Sequence, residues 1–184
     1  MDKSRNYYQN SFHHVYNRGA NKESIFFEHE NYTYFLDRMK EYSRRFEISI
    51  LSFCLMQNHF HMFLKQTSNN FSISQFLSSL LNSYVKSINK KYQRSGTLFE
   101  GKTKSKEIKD NAYFIWVIKY ILENPVKAGL VSSVGDWEFS NARDLLGVRN
   151  GDLTDVNYVS SFFDSQSVMI KFLLDKGMKI PYEF

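Results

Sequence analysis

Two histidines separated by a single residue, His59 and His61, are the first candidates for chemistry in the sequence. They follow a β-rich run, Ile48 to Met56, and lie in a stretch that itself has the pattern of a strand. Because side chains alternate along a strand, both imidazoles should project from one face while Phe60 projects from the other. Neutral imidazole is the commonest metal ligand in proteins, so this pair can offer two ligands to one cation. The alternative is two unrelated surface or packed histidines, since short motifs often occur by chance.

A tyrosine and an asparagine one helical turn apart, Tyr120 and Asn124, form a second candidate pair. At about 100° per residue, the apolar residues of their helix fall on an arc roughly opposite Tyr120, so the phenol and the carboxamide are presented together. Tyr113 lies on nearly the same side of the helix, but its neighbour at i+4 is the apolar Val117. This difference favours Tyr120 as a reactive residue. The helix pattern alone, however, favours a half-buried tyrosine at the edge of a core.

The whole chain has a formal net charge of +5, and its basic residues are concentrated in the middle of the sequence. Lysines at alternating positions in the stretch 102–106 would point the same way in a strand and could contact successive phosphates. A solvated face is the alternative, but aromatic residues interleaved with the cations favour single-stranded nucleic acid. The residues predicted to bind nucleic acid are Arg18, Lys86, Lys90, Lys102, Lys104 and Lys106.

The elements that must position these residues follow from the hydrophobic pattern. Strands are predicted at 12–17, 48–56 and 59–65, with an extended piece from 97, and helices begin near 31, 72 and 110. The third helix should end near Asn124, because the residue before a proline is disfavoured in the α region. The order β, α, β, β, α, β, α predicts an α+β fold, a ferredoxin-like antiparallel sheet with helices packed on one face.

The composition predicts a globular protein with no membrane association. Hydrophobic residues make up 42% of the 184 residues, yet no uninterrupted apolar run is long enough to cross a bilayer, and no secretory segment is apparent. The single cysteine, Cys54, cannot form an internal disulfide, which fits a reducing compartment. We therefore expect a cytoplasmic location.

Two segments together resemble the single-tyrosine HUH transposases (IS200-like), and in particular the branch of REP-associated tyrosine transposases. They are Gln-Asn-His-Phe-His at 57–61 and Tyr-Ile-Leu-Glu-Asn-Pro-Val-Lys-Ala-Gly-Leu-Val at 120–131. Shorter stretches at 14–19, 96–99 and 136–140 resemble the same branch. The His-x-His pair alone is weakly specific, but its combination with the second block is strong.

The resemblance implies a role for each candidate residue. His59 and His61 would be paired metal ligands, Asn124 would complete the metal site, and Tyr120 would be the nucleophile. The cofactor would be Mg²⁺ or Mn²⁺. Many relatives also carry a histidine within the Tyr-Ile-x-x-Asn block, where this chain has Leu122 or Glu123.

The resemblance also implies a domain, a reaction and partners. Residues 1–149 would form an HUH single-tyrosine transposase-like domain, and residues 150–184 a tail of unknown role within the same domain. The enzyme would nick and rejoin single-stranded DNA at a hairpin or palindromic site. A monomer is favoured over a helix-swapped dimer, because the short Lys109-Asp110 entry into the tyrosine helix leaves little slack for exchange.

The proposed chemistry is consistent with the residue types themselves. A divalent ion can polarise a phosphodiester oxygen, and a phenol with a pKa of about 10 needs a nearby cation or base to act as a nucleophile. Attack would leave a 5′-phosphotyrosine and a free 3′-OH. Two alternatives stay open: a non-catalytic DNA- or RNA-binding module on the same fold, and a metal-dependent hydrolase that uses water while Tyr120 is only structural.

Overall fold

A computed structural model describes residues 7–178 as an antiparallel four-stranded sheet with six α-helices in that range. The strands are β1 (Phe12–Arg18), β2 (Ile48–Met56), β3 (His59–Gln66) and β4 (Lys104–Glu107). The helices are α1 (His29–Arg45), α2 (Ile73–Lys91), α3 (Asn111–Lys127), α4 (Ala142–Leu145), α5 (Val156–Ser160) and α6 (Gln166–Leu174). In this part of the chain no helix has the length and hydropathy that a bilayer-spanning segment needs.

The sheet has the strand order β2-β3-β1-β4, with every neighbouring pair antiparallel. Together with α1 and α2 this is the ferredoxin-like arrangement that the sequence predicts. The two residues Gln57 and Asn58 join β2 to β3 in a tight hairpin, whose register begins with Met56 opposite His59. The His-x-His strand β3 therefore lies inside the sheet, between β2 and β1.

The helices cover both faces of the sheet, which corrects the expectation that they pack on one face. One face of β3, with Phe60 and Met62, lies in a core cluster with residues of α1 and α2. On the other face Phe63 packs with Phe114 of α3 in a second cluster. The physical reason is visible in β2, where residues 51–56 are buried without alternation, as expected for a strand covered on both sides.

Helix α3 continues past Asn124, so the predicted end of the helix is wrong. Pro125 lies inside its last turn and lacks the N–H that would bond the carbonyl of Ile121. The Asn124 side chain compensates, because its Nδ2 donates to the carbonyl oxygens of Tyr120 at 2.8 Å and Ile121 at 3.2 Å. The helix therefore extends to Lys127.

The segment after residue 150 packs against α3 and β2. Val159, Met169 and Leu173 are buried in the same cluster as the apolar face of α3. The two short helices α5 and α6 lie in this segment. This segment thus helps to fix the position of the helix that carries Tyr120.

Candidate active site

The two histidines of β3 lie side by side on the face of the sheet that α3 covers. The ring centroids of His59 and His61 are 5.3 Å apart and their planes are nearly perpendicular, at 89°. The prediction that they share one face is therefore confirmed. Their role as metal ligands stays a prediction.

His61 is hydrogen-bonded to a third histidine, His14, from the neighbouring strand β1. The distance from His14 Nε2 to His61 Nδ1 is 3.0 Å, and both side chains are buried. Burial, with a smaller effect of Lys106, lowers the pKa of His14 to about 4. Burial and the neighbouring His14 and His59 hold the pKa of His61 well below its ordinary value. At neutral pH these imidazoles are therefore uncharged, which is the form that binds metals.

The proton on His59 is located by its neighbour Asn58. Asn58 Nδ2 donates to the carbonyl oxygen of Lys22 at 3.1 Å, so the amide oxygen Oδ1 is the atom that lies 2.7 Å from His59 Nδ1. An amide oxygen can only accept, so His59 Nδ1 carries the proton. Burial lowers the pKa of His59, and the Asn124 side chain, which can accept a hydrogen bond from the charged form of the ring, partly opposes that shift.

Helix α3 places Tyr120 over this histidine cluster. The Tyr120 ring is half-buried, with its centroid 5.6 Å from that of His61 and 5.8 Å from that of His14, edge to face in both contacts. Burial, with a smaller effect of Tyr16, raises the pKa of Tyr120 above its ordinary value. The Nζ of Lys127 lies 5.2 Å from the centroid of the Tyr120 ring. The predicted nucleophile and metal ligands thus come together from α3 and β3.

The predicted nucleic-acid-binding residues fall into two groups. Lys104 and Lys106 are exposed on β4, opposite Tyr16 and His14 of β1, and so lie on the face of the sheet that carries the histidines. Lys102 is also exposed, just before β4 begins.

Arg18 ends β1 opposite His59 and forms an ion pair with Glu100. Lys86 and Lys90, by contrast, are exposed on α2, which covers the opposite face. The structure therefore brings Arg18 and the β4 lysines close to the histidines, and it does not bring Lys86 or Lys90 there.

A pocket of about 400 Å³ opens beside the histidines. Its walls combine the histidine pair with cationic and aromatic side chains from β1, β4 and the loop after β1. They include Tyr16, Arg18, Lys22, His59, His61 and Lys104, and also Glu100, which forms an ion pair with Arg18. A pocket of this composition can hold an anionic group, such as a phosphate, next to the imidazoles.

Two site residues, His14 and Tyr16, were not among the predicted candidates. Both project from β1 toward the histidine pair, and the ring centroids of Tyr16 and His61 are 5.5 Å apart. The alternating His-x-Tyr pattern in β1 was the available signal. Its significance depends on the pairing of β1 with β3, with Tyr16 opposite His61, which the sequence alone does not specify.

Across residues 7–178, no three His, Cys, Asp or Glu side chains form a cluster suited to a metal ion. The residues predicted as metal ligands are the two imidazoles of β3 and the carboxamide of Asn124, so only two of them belong to these four residue types. Such a set leaves coordination positions for a substrate and water.

Comparison with known proteins identifies the family. The sequence profile described as "Transposase IS200 like" matches residues 6–124, more than half of the chain, and the chain belongs to this family of transposases. The matched region includes both the histidine pair and Tyr120. A comparison with curated proteins finds no significant match.

The fold is similar to that of a REP-associated tyrosine transposase solved bound to a REP hairpin. The TM-score is 0.67 at 18% sequence identity, covering 84% of this chain and 94% of that chain. A candidate transposase from Deinococcus radiodurans R1 gives a TM-score of 0.45 at 13% identity, covering 61% of this chain and 89% of that chain. The first likeness shows that the α+β fold is that of the REP-associated enzyme.

Proposed function

We propose that this transposase nicks and rejoins single-stranded DNA with a divalent metal ion and a covalent bond between Tyr120 and the DNA. The observation that carries the proposal is the position of the Tyr120 ring, 5.6 Å from His61 on the face that His61 shares with His59. The Tyr120 ring therefore lies against one imidazole of the histidine pair. The histidine pair itself lines a pocket with cationic walls.

The residues present fit a divalent cation. Asn58 occupies Nδ1 of His59, which leaves Nε2 with the lone pair, and the Nδ2 of Asn124 is occupied by two carbonyls. The Asn124 oxygen and the bare His59 nitrogen are then two acceptors in adjacent groups, an arrangement that a cation between them would stabilise. His59, His61 and Asn124 would hold Mg²⁺ or Mn²⁺. When bound, such an ion polarises a non-bridging phosphate oxygen.

Tyr120 supplies the nucleophile. Its phenolic oxygen forms a bond to phosphorus while the bond to the 3′-oxygen breaks, giving a 5′-phosphotyrosine and a 3′-OH. The phenol loses its proton to solvent, and the leaving oxygen takes one up. Because burial raises the pKa of Tyr120, the phenolate needs a cationic group close to its oxygen, which is a second reason to propose a divalent ion at this site. Attack by the 3′-OH reverses the step and rejoins the strand.

The substrate we propose is single-stranded DNA with a hairpin. Lys104 and Lys106 form an exposed cationic row beside the site, and Arg18 lies at the adjoining pocket. The structurally similar REP-associated transposase was solved bound to a hairpin, which supports this choice. We further propose that the protein acts as a monomer in the cytoplasm, with Tyr120 serving the histidine pair of its own chain.

The test is to incubate the protein with single-stranded hairpin DNA and Mn²⁺ and to look for a covalent adduct on a denaturing gel. We expect an adduct that Tyr120→Phe abolishes while DNA binding is retained, because only the attacking oxygen is lost. Tyr113→Phe, two turns earlier on α3, is the matched control and should retain the adduct. An adduct that persists in Tyr120→Phe would reject Tyr120 as the nucleophile.

The same assay separates the alternatives. Cleavage without an adduct would indicate a metal-dependent hydrolase that uses water. Binding without cleavage would indicate a non-catalytic DNA- or RNA-binding module. Omitting the metal should prevent the adduct, and an adduct formed equally well with a chelator present would reject the metal-dependent mechanism.

A further inference from the structure

His14 is a fully buried histidine at the centre of the site to which the proposed chemistry assigns no role. Its Nε2 lies 3.0 Å from Nδ1 of His61, itself 7% exposed. His14 is the diagonal neighbour of His61 across the β1–β3 pair, since Tyr16 is directly opposite His61. Its ring also packs against the rings of Tyr16 and Tyr120. The His14 ring is therefore held between β1, β3 and α3.

The direction of this hydrogen bond decides what His61 can do. A neutral imidazole has one N–H donor and one bare nitrogen, so only one of the two rings can donate to the other. If His61 donates through Nδ1, its Nε2 keeps a lone pair and can bind a metal. If His14 donates instead, His61 carries its proton on Nε2 and cannot be a ligand in that form.

We propose that His14 is a positioning residue that accepts the Nδ1 proton of His61 and holds it in the tautomer with a bare Nε2. The inference rests on the proposed function, because it concerns one of the two proposed metal ligands. Histidines that bind metals generally donate their second ring N–H to a neighbouring group, which fixes the tautomer and the ring orientation.

The other histidine of the pair offers a parallel within the same strand. Asn58, whose amide orientation is fixed by the carbonyl of Lys22, accepts the Nδ1 proton of His59. With His14 acting on His61 as Asn58 acts on His59, both imidazoles of β3 present the same nitrogen, Nε2. Two different residues, one from the hairpin turn and one from β1, would thus perform the same task.

The experiment compares His14→Gln with His14→Phe. Glutamine keeps an oxygen that can accept near the position of Nε2, whereas phenylalanine fills the space without an acceptor. Long-range ¹⁵N–¹H NMR of the metal-free protein reads the tautomer directly, and calorimetry with Mn²⁺ alone measures the affinity. We expect His61 to carry its proton on Nδ1 in the wild type and in His14→Gln. In His14→Phe this preference should be lost and Mn²⁺ should bind about 10–100-fold more weakly.

Two results would overturn the inference. One is a wild-type protein in which His61 carries its proton on Nε2, a measurement that needs no variant to fold. The other is a folded His14→Phe that keeps both the tautomer and the Mn²⁺ affinity of the wild type. Failure of this inference can be distinguished from failure of the proposed function. A wild-type protein that forms no DNA adduct would reject the proposed function. The His61 tautomer is measured without DNA or metal, so it still tests the role of His14.

Discussion

Lys119 of α3 is a fully buried lysine, and replacing it gives the sharpest test of how the tyrosine helix is held. Its Nζ donates to the carbonyl oxygens of Phe172 and Asp175, both at 2.8 Å, at the end of α6. It also lies 3.1 Å from Oε1 of Glu123, one turn further along α3. One ammonium group thus ties the C-terminal helix to the helix that carries Tyr120.

The expected cost of Lys119→Met follows from the bonds that are lost. Hydrogen bonds to charged groups contribute about 1.5–3 kcal/mol each to the free energy of unfolding. In the variant, the end of α6 can fray so that its carbonyl groups bond to water, which limits the loss of stability. We therefore expect the free energy of unfolding to fall by about 2–4 kcal/mol. For a chain of this size that corresponds to a fall in Tm of roughly 4–16 °C.

Lys127 provides a matched control within the same helix. Its Nζ lies 3.1 Å from the other oxygen of Glu123, also one turn away, but its side chain is 52% exposed. Because exposed ion pairs contribute little, Lys127→Met should cost less than about 1 kcal/mol. Urea unfolding of both variants and the wild type gives the comparison. If Lys119→Met costs no more than Lys127→Met, the buried ammonium does not hold α6 on α3.

Two further predictions concern DNA binding and acid stability. Replacing Lys104 and Lys106 with alanine should weaken the binding of single-stranded DNA and reduce the slope of log affinity against log salt concentration by about 0.7 per lost phosphate contact. Alanine at Lys86 and Lys90, on the opposite face, should change neither the affinity nor the slope. Equal effects of the two double variants in a fluorescence titration would refute this assignment of faces. Burial lowers the pKa of His13 in the folded protein to about 4. Between about pH 6.5 and 4, His13 is therefore protonated in the unfolded chain and neutral in the folded protein. The His13 contribution to the loss of stability in acid should reach up to about 3 kcal/mol as the pH drops through that window. Urea unfolding of His13→Phe should therefore show a smaller loss than the wild type, in which the buried His14 and His61 add to the same effect.

The parts of the fold that depend on local patterns could be predicted from the sequence. The period of two in β3 placed His59 and His61 on one face, and the two-residue connection before it indicated the hairpin. The period of the third helix separated Tyr120 from the most apolar arc. These features depend on neighbours within one or two elements, which is the range over which sequence patterns are informative.

The features that sequence analysis missed depend on pairing between distant segments. The contact between His14 and His61 requires the β1–β3 register, and the position of α3 requires knowing that β2 is buried on both faces. A proline-based rule also failed in α3. There the Asn124 side chain donates to the carbonyls of Tyr120 and Ile121, and the apolar face of α3 is buried in the second core cluster, so tertiary packing outweighs the local preference.

The one departure from the family pattern has a structural consequence for the metal site. Where many relatives have a histidine in the Tyr-Ile-x-x-Asn block, this chain has Leu122 or Glu123, and neither is placed to substitute for it. Leu122 is fully buried in the apolar cluster of α3, and Glu123 is paired through its two oxygens with Lys119 and Lys127. In the metal site that we propose, the helix would therefore contribute a single donor, Asn124, and His61 in the tautomer that we assign to it would carry more of the metal affinity.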